Sequence, residues 1–437
     1  MITEQRMLHS NISVQGESLC FAGYNTIHLA KKYGTPLMLL DENRIRENMR
    51  TYKRALARYF GEKSKPLYAS KALSFTAMYQ IASQEGIYTD IVSVGELYTA
   101  IKSGFDISGA FFHGNAKSDS DIEYAIKNGI GYFVVDTYDE LYAIDKIARA
   151  LGTRQKILFR VTPGIDPHTH SAISTGKVDS KFGTAIETGQ ALEITRKALE
   201  LEGVDLRGFH CHIGSQIFEI EPYCNCADIM IAFVNEVAKK LDYVAEFLNL
   251  GGGFGVRYVE SDPVIDIEES IRQIAEHINS YCYENDLACP TILMEPGRSI
   301  VADAGMTIYS VLSVKEITGY KNYIAIDGGM TDNPRYALYG SAYTVLGANK
   351  MDKKADYVAT IAGRNCESGD LIQENVTLPR MSRGDYLAVL VTGAYNYSMA
   401  SNYNRVPRPA VVLLGSSDRV VIKRESIEDV SRLDVTL

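Results

Sequence analysis

The chain has 437 residues, of which 46% are hydrophobic and 23% charged, a composition typical of globular proteins long enough to form two domains. Its formal net charge is −9, whereas proteins that bind nucleic acids usually carry a basic surplus. We therefore expect no nucleic-acid partner.

Signals for membranes and export are not found in the sequence. No run of about 18 apolar residues occurs, which predicts a protein without a membrane partner. The N-terminal "MITEQRMLHSNISVQGE" has no apolar signal-peptide core. The seven cysteines are scattered and odd in number, which favours reduced thiols over a disulfide framework. Together these features predict a cytoplasmic protein.

Eight short β-rich runs alternate with helical patterns from Leu67 onward. Segments such as "SDSDIEYAIKNG" and "AIETGQALEITRKALELEG" have the periodicity of helices and separate the runs. Eight such units over roughly 250 residues predict an α/β fold, a (β/α)8 TIM barrel, which we place at residues 43–301. A doubly wound open sheet is the second possibility. The runs are "LYAS", "DIVSV", "AFFHG", "YFVVD", "ILFRV", "GFHCHIG", "EFLNLGGG" and "TILMEPG".

After about Ala302 the strand-like runs follow one another with few helices, from "MTIYSVLSVKEI" to "RVVIKRE". This pattern predicts a mainly β C-terminal domain, a β-sandwich or barrel. The N-terminal "NISVQGESLCFAG" is also strand-like, and we expect it to join the C-terminal sheet. The β domain would then be discontinuous, covering residues 1–42 and 302–437.

Unusual polar residues fall where the barrel strands are predicted to end, which is where a barrel carries its active site. Lys71 ends the first strand in "LYASKALSF", although lysine is rarely buried without a partner. Eight such strand ends together predict a functional face. The others carry "SVGE", "HGNAK", Asp136, Arg160, "HCHIGSQ", "GGGFG" and "EPGR".

The last two of these motifs suit an anion. Glycines in "GGGFG" let backbone N–H groups approach a phosphate, although glycine-rich strand ends are often only tight turns. "EPGRS" adds Glu295 and Arg298, and arginine favours bidentate contacts with phosphate or carboxylate. The alternative explanation for Glu295 and Arg298 is a structural ion pair.

The "HCH" motif places His210 and His212 on one face of a strand. Such a pair could bind zinc, but the other strand ends offer lysine, arginine and glycine rather than further ligands, so we predict no metal. A core histidine is the plain alternative. Phosphate-binding glycines, a histidine surface and a strand-end lysine predict pyridoxal 5'-phosphate bound to Lys71 in a desolvated, positively flanked pocket.

Long motifs distributed from about Tyr68 to Pro409 resemble the diaminopimelate decarboxylase family, in the alanine-racemase-like class (fold type III) of pyridoxal-phosphate enzymes. The resemblance implies a barrel plus a β domain, and a homodimer with shared active sites. The motifs are "YASKA", "HGNAK", "HTHSAISTGKVDSKFG", "FHCHIGSQI", "LNLGGGFG", "EPGRSIVADAG", "DGGMTDNPRYALYG", "CESGD" and "GAYNYSMASNYN".

The same resemblance implies which residues bind the cofactor. Lys71 resembles the Schiff-base lysine, His212 the residue that stacks on the pyridine ring, and Glu295 the partner of the pyridine nitrogen. A carboxylate there keeps the ring protonated, which favours decarboxylation over racemisation. The remaining cofactor contacts would come from Ser215, Gly251, Gly252, Gly253, Pro296, Gly297, Arg298 and Tyr395.

Further residues resemble the substrate-binding and proton-donating groups of the family. Cys366 resembles a proton donor contributed by the second subunit, although a small buried hydrophobic residue is the plain alternative. The distal amino-acid end of meso-2,6-diaminopimelate needs a cation and an anion, which Arg335 and Glu367 could supply; otherwise Arg335 forms a surface ion pair. The implied substrate contacts are Arg298, Arg335, Tyr339, Glu367 and Tyr395.

The expected activity is therefore decarboxylation of meso-2,6-diaminopimelate to L-lysine and CO2, the last step of lysine biosynthesis by this route. Tyr336 stands where proline is common, and Arg364 adds a charge near Cys366. A decarboxylase of ornithine, arginine or a specialised amino acid is the alternative, and a non-catalytic pyridoxal-phosphate carrier is a third possibility.

Overall fold

The computed structural model describes residues 7–165 and 181–437. Its helices are α1 (Thr26–Tyr33), α2 (Glu42–Phe60), α3 (Thr76–Glu85), α4 (Val94–Ser103), α5 (Asp119–Lys127), α6 (Tyr138–Ala150), α7 (Gln190–Glu200), α8 (Glu221–Leu241), α9 (Ile267–Glu284), α10 (Arg298–Val301) and α11 (Arg335–Tyr339). Its strands are β1 (Ile12–Gln15), β2 (Ser18–Phe21), β3 (Tyr24–Asn25), β4 (Leu37–Asp41), β5 (Lys65–Ala69), β6 (Tyr88–Ile91), β7 (Ala110–Phe112), β8 (Tyr132–Val135), β9 (Gln155–Thr162), β10 (Thr184–Ala185), β11 (Val204–His210), β12 (Phe247–Asn249), β13 (Thr291–Met294), β14 (Gly305–Ile317), β15 (Lys321–Ile326), β16 (Val345–Gly347), β17 (Tyr357–Ala362), β18 (Leu371–Leu378), β19 (Tyr386–Leu390), β20 (Ala410–Leu414) and β21 (Asp418–Ile422).

The chain divides into two compact units. The barrel unit comprises Glu47–Gly255 and Val264–Gly297, and the β unit comprises Met1–Arg46, Val256–Pro263 and Arg298–Leu437. The domain limits expected from the sequence, 43–301 with the two flanking segments, stay a prediction.

The barrel unit contains a closed sheet of parallel strands in the order β5-β6-β7-β8-β9-β11-β12-β13. Closure comes from β13, which pairs in parallel with β5, so the open doubly wound alternative is wrong. Each of the eight sequence runs forms one of these strands, and β10 adds a short pairing to β9. The predicted (β/α)8 barrel is therefore confirmed.

The barrel interior is filled by apolar side chains from successive strands. Phe111 stacks on Tyr132 with ring centroids 4.3 Å apart. Runs such as "YFVV" are almost wholly buried because helices cover the outer face of the sheet while the interior closes on itself. The core cluster comprises Leu67, Phe111, Val134, Leu158, Phe247 and Leu293.

The helices of the barrel begin where the capping residues predict. Ser118 caps α5, and Asp121 completes a capping box by accepting the Ser118 N–H. α7 starts later than its sequence pattern suggests, because Gly189 has a φ of 77° and ends the preceding turn.

The β unit has a sheet in the order β18-β17-β15-β14-β4-β20-β21, with β19 pairing to β14 and β16. The mainly β domain is confirmed, but the predicted position of "NISVQGESLCFAG" is wrong. That segment forms a separate sheet, β1-β2-β3. The N-terminal strand in the main sheet is β4, because every residue of its sequence "LMLLD" is buried and it needs partners on both edges.

Within residues 7–165 and 181–437, none of the helices combines the length and the apolar character needed to cross a bilayer.

Candidate active site

The rim of the barrel at the carboxyl ends of its strands carries several polar side chains. Lys71 lies in a 3-10 turn, Ser70–Ala72, immediately after β5. His113 follows β7, Asp136 follows β8, His210 ends β11 and Glu295 follows β13. Parallel strands of a closed barrel end on the same face, so these side chains lie together on one face of the barrel unit, and its function stays a prediction.

Glu295 is the centre of a buried polar cluster at this rim. His113 Nε2 lies 2.9 Å from Glu295 Oε1, and His210 Nε2 lies 3.0 Å from Oε2. Asn249 donates its side-chain N–H to Oε1 at 2.8 Å. All four residues are buried. Each carboxylate oxygen therefore receives hydrogen bonds from the protein itself.

The charges in this cluster are set by burial and by these contacts. Burial lowers the pKa of His210 to about 4, although the Glu295 carboxylate opposes the shift. Burial likewise lowers the pKa of His113, again against Glu295. Burial alone would raise the pKa of Glu295, but the two histidines outweigh it and hold that pKa well below its usual value. The hydrogen bonds from His210 and Asn249 favour the ionised form of Glu295.

Among the described residues, His113, His210 and Glu295 also form the group with the spacing of a metal site. Each histidine contacts a different carboxylate oxygen, and the Asn249 amide donates an N–H to the oxygen nearest His113. Hydrogen bonds from His210 and Asn249 are the contacts expected around an anion. The pair weighed for zinc in the sequence, His210 and His212, is not this group.

Lys71 has surroundings that differ from the sequence interpretation. It is exposed in the chain, not desolvated. Its charge acts on the carboxyl groups of Asp90 and Glu96, so the flanking groups include acids rather than cations alone. Ser70 fixes these acids, because its N–H donates to Asp90 Oδ1 at 3.0 Å and its hydroxyl donates to Glu96 Oε2 at 3.1 Å. The expectation of a desolvated, positively flanked lysine stays a prediction.

The glycine-rich loop after β12 packs against His212. Gly252 donates its N–H to His212 Nδ1 at 3.4 Å. A Cβ at Gly251 would lie 2.5 Å from Cys211 O, and one at Gly252 would lie 2.0 Å from Glu295 O. These two glycines are thus required by close backbone packing whatever they bind. Gly253 has a φ of 116°, and a Cβ there would lie 2.4 Å from Gly214 O, beside Ser215 in the chain.

The "EPG" segment contacts the turn that carries Lys71. Ala69 donates its N–H to Pro296 O at 3.0 Å. A Cβ on Gly297 would lie 2.9 Å from the Ala69 Cβ, which is too close for any other residue. One region of the barrel unit therefore contains Lys71, His212, the glycine-rich loop and the segment from Glu295 to Gly297.

In the β unit, Tyr395 brings two buried arginines together. The Arg298 guanidinium lies 5.0 Å from the centroid of the Tyr395 ring, and that of Arg335 lies 5.6 Å from it. Arg298 also donates to the Tyr258 hydroxyl at 2.8 Å, and Arg335 lies 5.1 Å from the Tyr339 ring. Tyr395 has a φ of 58°, a costly conformation for a bulky residue.

Cys366 and Glu367 are exposed on the turn that follows β17. Cys366 donates its N–H to Asn404 Oδ1 at 2.7 Å, and Asp370 accepts the Asn365 N–H at 2.7 Å. The turn is held by its backbone while the thiol and the carboxylate face outward. The explanation of Cys366 as a small buried hydrophobic residue is therefore wrong.

The two departures from the family pattern have clear positions. Tyr336 donates its hydroxyl to Glu374 Oε2 on β18 at 2.7 Å. Arg364 is exposed. Much of the motif "HTHSAISTGKVDSKFG" lies outside the described residues, which resume at Lys181.

The sequence interpretation gave no role to His113, Asn249 or Asp90. His113 stood in the motif "HGNAK", and Asp90 in the run "DIVSV", so their strand-end positions were the available signal. Their side-chain partners lie on other strands, which no single motif reveals.

Comparison with known proteins fits this geometry. Residues 42–302 match the family of pyridoxal-dependent decarboxylases over its pyridoxal binding domain. The chain is 43% identical to diaminopimelate decarboxylase of Bacillus subtilis over 414 residues, 94% of each chain. A solved diaminopimelate decarboxylase of M. jannaschii superimposes with a TM-score of 0.92 at 34% identity, covering 98% of both chains. The structure of that enzyme in co-complex with L-lysine superimposes with a TM-score of 0.90, at 35% identity and with the same coverage. The chain belongs to the diaminopimelate decarboxylase family.

Proposed function

We propose that this protein decarboxylates meso-2,6-diaminopimelate to L-lysine and CO2, the last step of lysine biosynthesis, with pyridoxal 5'-phosphate as its cofactor. The observation that carries the proposal is the buried carboxylate of Glu295, which is hydrogen-bonded to His210 and Asn249 and lies 2.9 Å from His113 Nε2, at the rim that also bears Lys71.

The residues at the rim fit this cofactor. A carboxylate has about four acceptor positions, and the donors from His210 and Asn249 use two of them. A remaining position suits the N–H of a protonated pyridine ring. We assign ring stacking to His212, and the other cofactor contacts to Ser215, Gly252, Gly253, Pro296, Gly297, Arg298 and Tyr395.

When bound, pyridoxal phosphate supplies a cationic ring that accepts the electron pair left behind as CO2 departs. The chain supplies the rest. Lys71 Nζ holds the cofactor, and Glu295 keeps the proton on the ring nitrogen. Cys366 Sγ–H then delivers a proton to the substrate carbon. The exposure of Cys366 in the single chain supports its contribution to the site of a second subunit.

We assign substrate binding to Arg298, Arg335, Tyr339, Glu367 and Tyr395. The support is electrostatic: Arg335 is buried, and its guanidinium lies beside the rings of Tyr339 and Tyr395. A buried cation gains most from an anionic ligand such as the distal carboxylate. Glu367 is exposed and would bind the distal ammonium group.

We also propose a homodimer with shared active sites and a location in the cytoplasm. The exposed "CESGD" turn supports the first, because its proposed proton donor would otherwise face solvent. All seven cysteines lie in described residues as free thiols, which supports a reducing compartment.

The test combines an absorbance spectrum with a CO2 assay on wild type, Lys71→Ala and the exposed control Lys63→Ala. We expect a lysine-bound cofactor band that only Lys71→Ala loses, and CO2 from meso-diaminopimelate but not from ornithine or arginine. CO2 from another amino acid would overturn the substrate, and a band with no CO2 from any amino acid would indicate a carrier. Absence of the band in wild type would overturn the whole proposal.

A further inference from the structure

We propose that His210 is a positioning residue that acts as a neutral Nε2–H donor and, with the imidazole of His113 beside it, holds Glu295 as an anion oriented for the pyridine nitrogen. This inference rests on the proposed function, since it assigns a task to the carboxylate that meets the cofactor ring. The two histidines come from different parts of the barrel, since His113 follows β7 and His210 ends β11, and they contact different carboxylate oxygens.

The first step of the argument concerns which histidine nitrogen carries the proton. Nε2 of each imidazole lies close to a Glu295 oxygen, at 2.9 Å for His113 and 3.0 Å for His210, but of these two contacts the His210 contact is the hydrogen bond. An ionised carboxylate can only accept, so the Nε2 of His210 must be protonated. His210 Nδ1 is buried with no hydrogen-bond partner recorded among the described residues, which suits a neutral ring whose single proton is on Nε2.

The second step concerns charge. Both histidines are almost wholly buried, and burial lowers the pKa of each. An imidazolium beside Glu295 would cancel the carboxylate charge and repel a protonated ring. Neutral donors leave the full negative charge in place while satisfying the oxygens that burial removes from water.

Other charged groups of the barrel unit also influence the protonation of the two histidines. Arg160 is a buried cation whose field reaches both histidines and Glu295, and its pKa is lowered by burial against Asp136. The positive charge of Lys71 also lowers the pKa of His113. Asp90 lies near Glu295, and burial together with that carboxylate raises its pKa well above normal. These surroundings favour neutral histidines.

The test begins with 15N-histidine NMR of the holoenzyme, with signals assigned through His113→Gln and His210→Gln. We expect both rings to stay neutral from about pH 5.5 to pH 9, with the His210 proton on Nε2. An imidazolium titrating near pH 6.5 at either position would overturn the inference. This measurement uses wild type, so it stands even if a variant fails to fold.

The second measurement is cofactor binding and its absorbance against pH in His210→Leu, His210→Gln and the control His277→Leu. His277 Nδ1 lies 3.0 Å from Asp228 Oδ1, and both side chains are exposed. It therefore has a histidine–carboxylate contact like that of His210, but in contact with solvent. We expect His210→Leu to lose about 10- to 100-fold in cofactor affinity and to gain a pH-dependent band, since one hydrogen bond to a charged group is lost. Glutamine keeps an N–H donor and should restore most of the affinity.

A His210→Leu spectrum and affinity equal to those of His277→Leu would sink the inference while leaving the decarboxylase in place. Absence of the lysine-bound cofactor band in wild type would instead sink the proposed function. The two failures are therefore distinguishable.

Discussion

Lys117 Nζ lies 2.5 Å from Glu140 Oε1, and both side chains are buried in the barrel unit. Lys117 also donates to the carbonyl oxygens of Gly114 and Val134, so it ties the loop after β7 to the end of β8. The lysine of "HGNAK" is thus a structural residue. Burial raises the pKa of Glu140, whereas Lys117 opposes the shift.

Lys117→Met should lower the free energy of unfolding by roughly 3–5 kcal/mol, because it leaves Glu140 buried without its cation. Urea unfolding followed by circular dichroism measures the change. The control is Lys127→Met, which breaks a half-exposed pair with Glu123 and should cost less than about 0.5 kcal/mol. Equal losses in the two variants would contradict the prediction.

Asp332 should make the stability of the β unit depend on pH. It is buried, accepts the Tyr309 hydroxyl and the Gly329 N–H, and burial raises its pKa to about 7 with support from Asp327 and Asp370. The folded-state pKa is above the unfolded value of about 3.9, so the folded chain binds the proton more tightly between these values. The contribution to the free energy of unfolding therefore falls as pH rises from about 4 to 7, by at most about 1.4 kcal/mol per pH unit.

Asp332→Asn removes this titration and should flatten the dependence over that window. Urea unfolding at about pH 5, 6, 7 and 8 measures the slopes, with the exposed Asp352→Asn as the control. A slope in Asp332→Asn identical to that of wild type would show that another group titrates.

Glu295→Gln should reduce kcat on the order of 100-fold or more, because an amide cannot keep a proton on the ring nitrogen. The cofactor band should persist, since Lys71 is unchanged. Steady-state kinetics and absorbance measure the two effects, with exposed Glu62→Gln as the control. Full activity in Glu295→Gln would remove the central role assigned to this carboxylate.

Arg335→Lys should raise KM for meso-diaminopimelate about 10- to 100-fold with a smaller change in kcat, because lysine cannot form the bidentate contact with the distal carboxylate. Arg380→Lys is the matched control, since its guanidinium also lies over a tyrosine ring, 4.8 Å from that of Tyr357, but is exposed. A kcat effect with unchanged KM would argue against substrate binding by Arg335.

Cys366→Ser should lower kcat on the order of 100-fold with little change in KM, because a hydroxyl is a much weaker acid than a thiol. Kinetics in deuterated water should show that proton delivery limits the variant. Cys289→Ser, another exposed cysteine, serves as the control. Equal rates for the two variants would exclude Cys366 as the proton donor.

Much of the fold could be predicted because apolar strand runs and helical periodicity are local properties. "YFVVD" and "TILMEPG" form β8 and β13 where the pattern indicated. The pairing of β4 could not be predicted, since its partners in β14 and β20 are hundreds of residues away. Pairing between distant segments depends on tertiary context rather than on a local pattern.

The candidate site divides in the same way. Lys71 and Glu295 were found because strand ends carry function in a barrel. The donors around Glu295 could not be inferred, because His113, His210 and Asn249 meet it only after the barrel closes. The exposure of Lys71 was also missed, since motif matching says nothing of solvent.

The position of β4 between β14 and β20 has a consequence during synthesis of the chain. Leu37 leaves the ribosome 410 − 37 = 373 residues before its parallel partner Ala410. At about 5–20 residues per second this delay is roughly 20–75 s. During that time "LMLLD", buried at every position in the finished sheet, has no partner strand on that edge. The nascent β unit thus presents an apolar strand whose unpaired edge is a template for pairing with another chain.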